Sequence, residues 1–125
     1  MRHSAGVTLT VSVLHDDGLV LLAIAGELDA GVTRQVQRCV DEVLLDAPVL
    51  VVVDLSGLDF CDSTGLGALV RTSRRVTETG GTCVVAGARG PVARLLQLMS
   101  MERVLQLSPD VGQALETLRL DALGA

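Results

Sequence analysis

Residues 8–14 (TLTVSVL) alternate, with Leu9, Val11 and Val13 on one side, and predict a half-buried strand. His15-Asp16-Asp17-Gly18 follows as a turn, because Asp-Gly supplies the backbone that tight hairpins need. Residues 19–25 read as the returning strand. Gly26-Glu27-Leu28-Asp29 breaks the pattern, and Asp29 is placed to cap a helix behind it. The period then changes. Val32, Val36, Cys39, Val40, Val43 and Leu44 form a helical stripe, which Pro48 closes. Residues 49–55 are apolar except Asp54, as in a strand covered on both faces. Leu66, Leu69, Val70, Ser73 and Val76 mark a second helix that stops at Gly80-Gly81. Residues 82–86 (TCVVA) form a further strand. Pro91 suits the first position of a third helix whose Val92, Leu95, Leu96 and Met99 face inward. Residues 103–107 are expected to form a short last strand. Ser108-Pro109-Asp110 opens a final helix carrying Val111, Ala114, Leu115 and Leu118.

A hairpin followed by alternating helix and strand predicts an α/β fold: a mixed, mostly parallel sheet with an N-terminal hairpin, layered with about four helices. The 125 residues suit one domain spanning 1–125. The first six or so residues and the last few are expected to be loose.

Composition narrows the function. Apolar residues make up 49% of the chain and Phe60 is its only aromatic residue, so the core must be aliphatic. With no Trp or Tyr and a net charge of −5, stacking platforms and basic grooves for nucleic acid are missing. All ten basic residues are Arg, which removes Schiff-base and phosphate-cradling lysine chemistry. Cys39, Cys61 and Cys83 are dispersed, as suits small core thiols in a reducing cytosol. His3 and His15 lie far from them, so no metal site is expected. No apolar run reaches the ~18 residues of a membrane span, and MRHSAG has no apolar segment of a signal peptide behind it. These features predict a soluble cytoplasmic domain that binds neither nucleic acid nor membrane.

One stretch stands apart. Residues 58–67, LDFCDSTGLG, place an acid, two hydroxyls and two glycines directly behind the most apolar strand. Helix capping by Asp62 accounts for much of this. The catalytic readings each lack a partner group. A serine hydrolase needs a histidine base and a G-x-S-x-G elbow, but Cys61 stands two before Ser63. An aspartic protease needs Asp-Thr-Gly or Asp-Ser-Gly, and Thr64 breaks that spacing. A phosphate-cradling loop needs lysine. Asp54 resembles the phospho-accepting aspartate of response-regulator receivers, but their acidic pair and lysine have no counterpart here. The expectation is a non-enzyme without cofactor.

VVVDLSGLDFCDSTGLGALV (51–70) together with GELDA (26–30) resembles the STAS domain, and within it the bacterial anti-sigma factor antagonists. Those proteins carry D-L-S-x-[LV]-x-F, then x-D-S-[ST]-G-L-G and an apolar helix, after a G-E-[LI]-D element. The resemblance implies that Ser63 is a phospho-acceptor and that Asp29, Asp62, Ser63, Thr64, Gly65 and Leu66 form the partner-binding surface. It implies as partner an anti-sigma factor with GHKL-type serine kinase activity. The unmodified antagonist binds it and frees the sigma factor; phosphorylation breaks the complex, and a serine phosphatase restores it. Helical periodicity alone puts Thr64 on the more exposed side and makes it the runner-up acceptor. The family pattern puts the acceptor directly after the aspartate, at Ser63. A STAS subunit of a transporter or lipid-transport complex, or of a stress-sensing assembly, is the alternative role. Arg71, Arg74 and Arg75 share one helical face and are expected to be solvated.

Overall fold

In the computed structural model, the described residues are 2–5 and 8–124 for the backbone and 8–120 for the side chains. Asp17 and Gly18 both have positive φ, 48° and 79°, and close the type of tight turn that matches strand twist. This turn joins β2 (Leu9–Asp16) to β3 (Leu19–Leu28) in an antiparallel hairpin. β4 (Leu50–Asp54), β6 (Thr82–Ala86) and β7 (Gln106–Ser108) add in parallel beyond β3. Between the strands lie α1 (Thr33–Val43), α2 (Ser63–Glu78), α3 (Gly90–Leu98) and α4 (Val111–Gly124). The expected α/β class, with a mostly parallel sheet, N-terminal hairpin and four helices, is what the chain adopts.

Two strands were not anticipated. β1 (Arg2–Ala5) pairs antiparallel with β2 where a loose start was expected, using the outer edge that the hairpin leaves open. Met1, Gly6, Val7 and Ala125 lie outside the described residues. β5 (Leu58–Cys61) pairs with the end of β3, so the described strands run β1-β2-β3-β4-β6-β7 with β5 beside β3. The last strand also begins later than expected. Val104 and Leu105 donate their amides to the Met101 carbonyl, at 3.0 and 2.8 Å, so residues 103–105 are committed to a turn.

β4 is covered on both faces, and its side chains alternate between two apolar clusters. Val51 and Val53 join Val36, Val40, Leu69, Val76 and Leu96 beneath α1, α2 and α3. Val52 joins Val84, Ala114 and Leu118 beneath α4. Of the residues assigned to the core, Met99 is the clear exception, at 51% exposure.

Candidate functional site

The site begins where β3 changes neighbour. Over Leu19–Ala23 it pairs with Leu50–Asp54 of β4; after a bulge at Gly26/Glu27, Leu28 pairs with Cys61 of β5. The connection between β4 and β5 is held by Asp54, whose Oδ1 accepts the Ser56 amide at 2.9 Å and its hydroxyl at 2.7 Å. Gly26 then donates its amide to Gly57 at 2.9 Å, and Asp62 donates its own to Leu28 at 3.3 Å. These bonds bring GELDA and DSTG to one edge, at the carboxyl ends of parallel strands, where α/β sheets characteristically open a crevice.

Asp62 caps α2. Its backbone is extended, and Oδ1 accepts the Gly65 amide at 2.8 Å, three residues on as expected. Ser63 and Thr64 therefore occupy the first helical turn, and both are exposed. Exposure alone does not choose between them. Gly65 is wedged: a Cβ there would stand 2.5 Å from the Leu28 carbonyl oxygen and 2.8 Å from Cys61 Sγ. Gly67, by contrast, has open space where a Cβ would be. Leu66 is buried, so its side chain is part of the core as well as the floor beneath the site.

Asp29 is half-buried beside this edge but does not cap α1. Its Oδ1 accepts the Gly31 amide at 2.9 Å, and Val32, which precedes α1 at the N-cap position, makes no side-chain cap. The three residues between Asp29 and Thr33 are spent on a turn, which moves the carboxylate out of capping range. Cys61 is buried beneath the helix start. Burial and the neighbouring Asp62 carboxylate push its thiol up to about 11, which leaves it a protonated, unreactive side chain at neutral pH. No group of three potential metal ligands occurs among the described residues.

Phe60 was missed as a surface residue. It is 46% exposed, next to exposed Asp59, because β5 buries Leu58 and Cys61 and turns both intervening side chains outward. Regular alternation would have put Phe60 on the same side as Leu58, so periodicity held no signal for it. Asp59 is held by Arg89 at 3.1 Å, and Arg89 also donates to the Ser56 carbonyl. A groove of about 340 Å³ starts at Ser63 and runs along α2. Ser63 lines it; Thr64 does not.

The STAS domain profile matches residues 10–114, which includes every element from β2 to the start of α4. The chain belongs to the STAS domain family. RsfB, the anti-sigma-F factor antagonist of Mycobacterium tuberculosis, is 33% identical over 117 residues, 93% of this chain and 94% of RsfB. The anti-sigma F factor antagonist of Paenibacillus polymyxa is 26% identical, over 91% of this chain and 98% of that protein. Among solved structures, an anti-sigma factor antagonist from Mycobacterium paratuberculosis superposes with a TM-score of 0.80 at 30% identity, covering 93% of this chain and 98% of that one. No described helix of this STAS chain is long and apolar enough to cross a membrane.

Proposed function

We propose that this STAS chain is a cytoplasmic anti-sigma factor antagonist: a non-catalytic, single-domain switch whose docking is controlled by phosphorylation of Ser63. The carrying observation is that Ser63 is exposed at the first position of a helix whose start is fixed from behind by Gly65 against Leu28. A kinase can reach such a hydroxyl without loosening the fold. Asp29, Asp62, Ser63, Thr64, Gly65 and Leu66 make the binding surface, the buried Gly65 and Leu66 through the close approach they allow. The partner is an anti-sigma factor with GHKL-type serine kinase activity, and a serine phosphatase resets the switch. Antagonist relatives at 26–33% identity favour this over a transporter or stress-assembly subunit.

The physics is one of charge. Phosphorylation adds about −1.5 to −2 charges at pH 7. In the free protein the helix N-terminus offsets this by ~0.3–1 kcal/mol, so the fold persists. In a complex the dianion is desolvated beside Asp62, at a cost on the order of several kcal/mol. Each ~1.4 kcal/mol is a tenfold loss of affinity.

A pull-down from the native organism with Ser63→Ala and Ser63→Asp forms tests this. The alanine form should retain a GHKL-type protein and the aspartate form lose it. Incubation of the wild-type chain with that protein and ATP should add a single phosphate, mapping to Ser63; equal retention by both forms, or a phosphate on Thr64, contradicts the reading.

A further inference from the structure

We propose that the groove running from Ser63 along α2 receives a projecting segment of the anti-sigma partner that bears an apolar side chain flanked by carboxylates. This deepens the reading of the Ser63 face as the docking surface, rests on it, and specifies what the partner must bring.

The floor is apolar, built by buried Leu66 with half-buried Val70 and Met101. Met99 forms part of the lining at 51% exposure, although the pattern of α3 assigned it to the core. It stands one residue past the end of α3, with its amide bonded to Leu95 at 3.0 Å, which fixes it outside. Thioethers adapt to the shape of an incoming side chain.

The polar lining is cationic. Arg71 and Arg74 are exposed, and among the described residues no carboxylate lies within ion-pair distance of either. Arg75, expected to share their solvated face, is instead half-buried and bonded to Gln37 and Asp41 of α1. Ser63, Gly67, Arg71 and Arg74 follow one helical line, at spacings of four, four and three. The open space at Gly67 leaves that line unobstructed between the hydroxyl and the guanidinium groups.

Charge complementarity fixes the occupant. Covering two guanidinium groups with apolar surface leaves desolvated charges unpaired, whereas carboxylates meet them with strong, directional hydrogen bonds. The chain as a whole carries −5, so an acidic segment is repelled elsewhere and attracted here. The same arrangement sharpens the switch. A phosphate on Ser63 would stand at the mouth of the groove, facing the carboxylates that must enter.

The test uses the full chain and the anti-sigma factor that it retains in the pull-down. An Arg71→Glu/Arg74→Glu double variant should bind at least about tenfold more weakly than wild type, and the Arg71→Lys/Arg74→Lys form within about threefold. Thermal melts of both variants confirm that they fold. Unchanged binding by the glutamate form overturns the proposal. So does a change in the chain's own oligomeric state with partner affinity intact, which would give the groove to a second copy. Loss of the partner by Ser63→Asp but not by the glutamate form removes the groove alone. A wild-type chain that retains no anti-sigma factor removes the docking-face reading with it.

Discussion

The Leu28 carbonyl oxygen lies where Gly65 has no Cβ to spare, 2.5 Å from the position such an atom would take. This contact locks the start of α2 onto the end of β3 and sets the height at which Ser63 projects. Gly65→Ala is expected to cost ~1–3 kcal/mol, since both obstructing atoms belong to packed elements. Gly67→Ala is expected to stabilise by up to ~1 kcal/mol, because it adds helix propensity without a clash. Urea unfolding of the two variants measures the opposite signs.

Asp62→Ala removes the acceptor for the Gly65 amide and should cost ~0.5–2 kcal/mol. Asp62→Asn retains an acceptor oxygen and should lose less. The ordering of the two unfolding midpoints checks the cap independently of any partner.

Stability should fall in alkali through the buried thiols. Burial, with Asp62 added at Cys61, raises Cys61 to about 11; burial, partly offset by a Ser73 hydrogen bond, raises Cys83 to about 12, both from 9.0. Above pH 9 the unfolded chain releases these protons while the folded chain keeps them, so rising pH favours unfolding. The urea midpoint should decline between pH 9 and about 11, and Cys61→Ala should make that decline shallower relative to its own neutral value. Alkylation of Cys61 in the folded chain should be slow at neutral pH and quicken only as about 11 is approached.

Phe60 adds an exposed aromatic beside Asp59 on the strand that leads into Asp62. Phe60→Ala should weaken partner binding by about tenfold, the scale of a central aromatic contact. Its effect on stability should be below ~1 kcal/mol, since nearly half the side chain is already in water. Calorimetric titration alongside a urea curve separates the two.

Much of this was legible because the strong elements repeat one period for long enough. The alternation of Leu9, Val11 and Val13, the run before Asp54 and the stripe from Leu66 to Val76 each named their element. The cap at Asp62 and the helix that starts at Ser63 were legible from capping chemistry. β5 was not, because its four residues, with Leu58 and Cys61 buried and Asp59 and Phe60 outside, lack the alternation that marks a strand. Asp29 was misjudged as a cap because the sequence shows an acid before a helix but not the turn that Gly31 closes on it. Met99 was assigned inward by helical spacing that ends one residue too soon.

The most direct test of the switch compares the affinity of one anti-sigma factor for the unmodified chain and for the chain carrying phosphoserine at position 63, made by genetic incorporation so that no kinase is required. The phosphorylated chain, folded by its circular dichroism, should bind at least about a hundredfold more weakly, equivalent to ~3 kcal/mol. Affinities that agree within about twofold would mean that the charge on Ser63 does not govern docking.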